Sequence, residues 1–228
     1  MKNQIKTIAF DADDTLWQNE EYFREAELKF SELVAAKNPD QVIQSLFEIE
    51  MKNLPMYGYG IKGFMLCMIE TLHQLYPENL SSKLIEGAFK IGHQLLQKPV
   101  ILLDGIEETL SHLFGKYRLV MATKGDLLDQ ERKLEKSGLA KYFHHIEIMS
   151  DKKPANYQKL IKHLDCKPEN FLMVGNSLKS DILPVLAING LAVEVPYHTT
   201  WQHEIHDEPI DHPNFYSVRS MDQIIHLL

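Results

Sequence analysis

Positive charge is the scarce commodity in this chain: 24 Lys and Arg residues stand against 32 Asp and Glu, for a formal net charge of −8. Binding along a nucleic-acid backbone wants a basic face, so the deficit argues against a nucleic-acid partner. A small phosphorylated ligand needs only a few local cations and is not excluded. Cysteine is almost absent. Cys67 and Cys166 lie far apart, with no CxxC or zinc-like spacing, which removes the disulfide-scaffold and zinc-module classes and predicts two free thiols in a reducing cytoplasm. Long apolar runs are missing too. Nothing approaches the ~18 residues of a membrane span, and the first apolar stretch is too short for a secretory signal. The expectation is a soluble, cytoplasmic protein with no membrane partner.

What is present is ordinary globular material, 44% hydrophobic and 25% charged, in 228 residues. That suffices for one sizeable domain, or a core domain carrying a smaller insert. Ile5 to Phe10 reads as a short buried strand. From Trp17 the apolar residues recur at helical spacing, in stripes such as Phe23, Ala26, Phe30, Leu33 and Val34, then Val42, Ile43, Leu46, Phe47 and Ile49. A third stripe runs from Ile61 to Leu75 after a loop predicted over Asn53–Gly60, and a fourth covers Leu84 to Leu95. Together they predict a small helical bundle. After Asp104-Gly105 the rhythm changes to strands alternating with helices. Strands are expected at Arg118–Thr123, around His145–Met149, and at Phe171–Val174, Leu191–Val195 and Phe215–Val218. That alternation predicts an α/β fold with a parallel sheet covered on both faces.

Ligands of such sheets sit at the carboxyl ends of the strands, and the chemically suggestive residues gather there. Asp11 and Asp13 are two apart on an extended chain, so both face one side. Two close carboxylates raise the pKa of one or recruit a cation, and they can divide labour between nucleophile and proton shuttle.

The run IAFDADDTLW resembles the first signature of the haloacid dehalogenase-like (HAD) superfamily, an apolar strand followed by D-x-D-x-T. Three further signatures follow in order. Thr123 closes the strand LVMAT, Lys153 precedes Pro154, and Gly175-Asn176 leads to Asp181. The resemblance implies a Rossmann-like core over residues 1–17 and 101–228, interrupted by a helical-bundle cap over residues 18–100. It also implies Mg²⁺ as cofactor and phosphatase chemistry on a small phosphorylated metabolite. By that resemblance Asp11 is the nucleophile, Asp13 the acid/base, Thr123 the holder of a phosphoryl oxygen and Lys153 the neutralising cation. Asp11, Asp13, Asn176 and Asp181 would be the metal ligands.

One departure stands out: Asn176 occupies the place of the usual first acid of the fourth signature. Its carbonyl can still ligate a hard cation, without the negative charge. The family's dehalogenases lack an acid two places after the nucleophile, so Asp13 favours phosphoester chemistry over halide displacement. Thr123, Lys124, Lys62, Tyr57 and Trp17 are the candidate substrate contacts, with Lys62 and Tyr57 within the glycine-rich segment 56–63, and Asn19 and Glu20 lie beside Trp17 at the hinge. A phosphomutase, a phosphonatase using Lys62, and a catalytically weak binding protein remain as alternatives. The histidines 198, 203, 206 and 212 lack a regular metal-binding spacing and are expected in a solvated loop.

Overall fold

The computed structural model describes residues 4–34 and 38–228. In chain order the elements are β1 (Thr7–Phe10), α1 (Glu20–Leu33), α2 (Pro39–Tyr57), α3 (Ile61–Leu75), α4 (Ser82–Leu96), α5 (Ile106–Leu113), β2 (Arg118–Lys124), α6 (Leu127–Ser137), β3 (His145–Met149), α7 (Pro154–His163), β4 (Phe171–Gly175), α8 (Leu183–Leu186), β5 (Leu191–Glu194), β6 (Phe215–Ser217) and α9 (Ile224–Leu227). All six expected strands are present. They form one sheet in the order β3-β2-β1-β4-β5-β6, and every pair is parallel.

The chain divides into two compact units. One comprises Met1–Glu20, Val100–Lys124 and Gln130–Leu228, and the other Glu21–Pro99 and Gly125–Asp129. In the first unit the period-2 alternation of the strands sorts side chains onto two faces. Ile8, Phe10, Leu119, Met121, Leu172, Val174, Leu191 and Val193 enter one core, while Ala9, Val120, Ala122, Phe171, Met173 and Ala192 enter the other. Burial on both faces is why these strands read as continuous apolar runs.

The second unit buries the predicted helical stripes against one another. Phe30, Val42, Leu46, Phe64, Met68, Leu72, Ala88 and Ile91 share its core. The loop expected over Asn53–Gly60 is shorter than the sequence suggested. α2 carries Pro55 inside it and runs on to Tyr57, where Gly58 (φ 71°) ends it by returning its N–H to the Leu54 carbonyl at 3.0 Å. Pro55 has no N–H to offer the carbonyl one turn back, so one rung of the ladder is missing there, yet the helix continues to its closing bond at Gly58. No helix among the described residues is long and apolar enough to cross a membrane.

Candidate active site

The central strand β1 has β2 on one side and β4 on the other, so three strand ends emerge side by side. Phe10 pairs with Met121 and with Val174. Asp11 therefore begins just past the paired segment, its N–H donating to the Val174 carbonyl at 2.9 Å. The Asp11 side chain is buried, and its Oδ1 accepts a hydrogen bond from Lys152 Nζ. Burial, and next the negative charge of Asp181, push its pKa up to about 7 against the opposing pull of Lys152.

Lys152 is itself buried and also donates to Asp181 Oδ1 at 2.6 Å. Burial works against its charge, but Asp11 and Asp181 more than offset it, and the net shift of the ammonium is upward. One buried cation thus bridges two buried carboxylates, and removing that cation would leave buried negative charge uncompensated. Asp181 is fully buried, accepts the Ser177 N–H at 3.1 Å on Oδ2, and has the Tyr157 hydroxyl 3.5 Å from Oδ1. Gly175 makes room for it: a Cβ there would stand 2.3 Å from Asp181 Oδ2. Gly175→Ala is accordingly expected to destabilise the protein by roughly 1–3 kcal/mol through overpacking. The readout is a thermal melt, and an unmoved midpoint would contradict the close approach.

Thr15 joins the first and fourth signatures. Its hydroxyl lies 3.3 Å from Asp11 Oδ2 and 3.1 Å from Asn176 Oδ1, while its Oγ1 accepts the Asn176 N–H at 3.1 Å. The hydroxyl has one proton to donate and two oxygens competing for it. Asp14 sits in the left-handed region (φ 61°), which Asp tolerates better than most residues. Its carboxylate accepts the N–H groups of Asn19 and Glu20 and so caps the start of α1.

Asp13, two residues from the candidate nucleophile, is held from three directions. Trp17 Nε1 donates to Oδ1 at 2.7 Å, Lys133 Nζ to Oδ1 at 2.6 Å, and Gln130 Nε2 to Oδ2 at 2.8 Å.

Several sequence expectations need correction. The lysine against Asp11 is Lys152, not Lys153. Lys153 precedes the first turn of α7, its side chain is 74% exposed, and it pairs with Asp151 at 2.8 Å. Lys153 is the capping residue before Pro154 at the first helical position, so proximity to Pro154 was the wrong cue. Asp181, expected among the metal ligands, accepts hydrogen bonds from Lys152 on Oδ1 and from the Ser177 N–H on Oδ2. Trp17 is fully buried and spends its indole N–H on Asp13, which makes it a holder of that acid rather than a substrate contact. Lys124 was expected to meet substrate, but its ammonium is bonded to Glu204 and to Ser180 Oγ, the latter at 2.9 Å. Lys124 also draws the buried Glu204 carboxyl, against the effect of its burial, down to about 2.

Thr123 is buried at the end of β2, its hydroxyl donating to the Lys124 carbonyl at 3.2 Å. Lys62 and Tyr57 belong to the helical unit, where Lys62 pairs with Asp126 at 3.0 Å and the Tyr57 hydroxyl bonds to Glu70. Gln130 and Lys133 escaped the sequence reading. The available signal was their position, three residues apart on one face of the helix that follows the strand carrying Thr123.

Among the described residues no three or more His, Cys, Asp and Glu side chains are grouped to hold a metal ion. The donor set that fits one is mixed. Asp11 Oδ2 and Asn176 Oδ1 converge on the single Thr15 proton, so one of them always lacks a donor. A hard cation takes oxygens of carboxylate and amide alike.

The family model described as haloacid dehalogenase-like hydrolase matches residues 5–188. A haloacid dehalogenase-like family hydrolase from Xanthomonas campestris shares 37% identity with this chain, over 98% of this chain and 90% of that one, at a TM-score of 0.87. More distant folds are shared with a predicted phosphoglycolate phosphatase of Haemophilus somnus (16% identity, 100% and 99% coverage, TM-score 0.66) and a 2-haloacid dehalogenase of Pseudomonas syringae (18%, 98% and 97%, TM-score 0.65). No curated protein matches the chain.

Proposed function

This chain belongs to the haloacid dehalogenase-like hydrolase family and is a hydrolase, and from that premise we propose that it cleaves a small phosphorylated metabolite through an aspartyl-phosphate on Asp11, with Mg²⁺ as cofactor. The observation that carries this reading is the second carboxylate. Asp13 is held two residues beyond Asp11 by a tryptophan, a glutamine and a lysine. Expelling an alcohol requires a proton, whereas expelling halide does not, so an acid fixed at this place serves phosphoester cleavage.

In the first step a carboxylate oxygen of Asp11 bonds to phosphorus and the ester P–O bond breaks. The departing oxygen keeps the electron pair and takes a proton from Asp13. In the second step Asp13 takes a proton from water, whose oxygen bonds to phosphorus. The bond from phosphorus to Asp11 breaks, releasing inorganic phosphate and restoring both side chains. Lys152, held in place by Asp181, keeps positive charge at Asp11 throughout. Asp11, Asn176 and, by family resemblance, the backbone carbonyl of Asp13 would hold the cation. When bound it supplies charge withdrawal from the phosphoryl oxygens. Asn176→Asp adds a charge to that donor set and is expected to tighten Mg²⁺ roughly tenfold or more. Calorimetric titration reads this directly, and an unchanged affinity would remove Asn176 from the ligands.

The direct test is phosphate release across a panel of sugar phosphates, nucleoside monophosphates and simple phosphoesters, with Mg²⁺ and with EDTA. Metal-dependent release from a few related compounds is expected. Halide release from 2-haloacids with no phosphate release from the panel would overturn the reading.

A further inference from the structure

Asp13 is tied down more firmly than a mere proton carrier beside solvent needs to be. Its donors come from two separate stretches of sequence, Trp17 just beyond the first signature and Gln130 with Lys133 on α6. A carboxylate offers about four acceptor sites. Three donors on its two oxygens define both side-chain torsions and leave one site for the proton exchanged with the leaving oxygen or with water.

The Gln130 amide shows that this orientation is built in. It is buried, and its Nε2 donates to Asp13 Oδ2 at 2.8 Å and to the Lys124 carbonyl at 2.7 Å. Its Oε1 is buried with no hydrogen-bond partner among the described residues. A flipped amide would set that oxygen against a carboxylate and a carbonyl, two acceptors facing an acceptor. The side chain therefore keeps both donors where Asp13 and β2 need them and leaves its own acceptor orphaned, a cost that packing alone does not explain. Lys133 has little exposure, at 16% of its side chain, and its ammonium also reaches Asn19 Oδ1 at 3.2 Å, so it too is directed rather than trailing in solvent.

We propose that Gln130 and Lys133 are positioning residues for Asp13, clamping its carboxylate where it can deliver a proton to a poor leaving group. The inference rests on the phosphatase reading and adds a distinction to it: the clamp should matter in proportion to how badly the leaving group needs a proton. An alkoxide leaves only when protonated, whereas p-nitrophenolate departs as the anion.

The experiment compares kcat/KM for β-glycerophosphate and p-nitrophenyl phosphate in the wild type, Lys133→Met, Lys133→Arg and Gln130→Met. This parameter stops at the first phosphoryl transfer, so it excludes Asp13's later role towards water. The alkyl-to-aryl ratio is expected to fall at least tenfold in Lys133→Met and in Gln130→Met, and to recover most of the way in Lys133→Arg. Equal losses on both esters, with wild-type turnover intact, would reduce the clamp to a structural support and overturn the proposal. Wild-type enzyme that releases no phosphate from these esters or from the panel above would instead overturn the phosphatase reading, and this inference with it.

Discussion

Asp11→Asn is expected to lower turnover of every phosphoester by about four orders of magnitude or more, because the amide is no nucleophile and nothing beside it can take over. The same substitution should make the metal-free protein more stable. Asp11 is buried beside Asp181, and those surroundings lift its pKa from 3.8 to about 7. Its folded pKa is thus raised, so the native state binds a proton that the unfolded chain has already lost. The favourable contribution is complete below about pH 4 and is lost as pH rises towards 7. The full span corresponds to roughly 4 kcal/mol as an upper figure. Asp181 is shifted the same way by its burial, despite Lys152. Melting in EDTA between pH 4 and pH 8 should show a falling midpoint for the wild type and a flatter profile for Asp11→Asn. A loss of activity without that flattening would separate the chemical role of Asp11 from the electrostatic picture of its pocket.

Lys152→Met should be the most damaging single change to stability. It removes one cation from between two buried carboxylates, and breaking a buried ion pair costs about 3–5 kcal/mol because a charge is left uncompensated. For a chain of this size that is a fall of roughly 6–20 °C in Tm. The loss should shrink at acid pH, where Asp11 carries a proton and no longer needs the ammonium. Lys153→Met, one residue along, should leave the melt where it was, since that ammonium is exposed and pairs with Asp151 at the surface. The two variants measured together decide which lysine serves the site. A damaging Lys153→Met beside a harmless Lys152→Met would reverse the assignment made from the structure.

Much of the architecture was legible because it obeys periodicities. Strands buried on both faces show as short apolar runs, and the cap helices show as stripes at i, i+3, i+4. Asp11 and Asn176 follow directly on strands and Thr123 lies next to the end of one, so their chain positions already put them at the carboxyl edge of the sheet. The reading failed where side-chain direction mattered. At Lys152-Lys153 adjacent residues point opposite ways, and nothing in the letters says which faces inward. At Trp17 a large ring beside a candidate acid looked like a substrate contact, yet its one polar atom was needed to satisfy Asp13. Gln130 and Lys133 stand on a helix more than a hundred residues from the acid they hold, a relation that only the folded chain displays.

The strand order carries a consequence for how this enzyme comes into being. β1 is made first, yet its partners are distant: Thr7 lies opposite Arg118 on one side and Phe171 on the other. As the chain leaves the ribosome, the helical segment between can gather its own core while the strand bearing the nucleophile has no neighbour to bond with. Its second partner arrives only with the strand that opens at Phe171, and with it the glycine and asparagine that finish the pocket. Non-local pairing of this kind is slow and exposes unpaired strand edges meanwhile. The oldest part of the active site in the order of synthesis is therefore among the last to be functional, and a truncated product ending before Phe171 would carry Asp11 on an unfinished sheet, prone to aggregate and without activity.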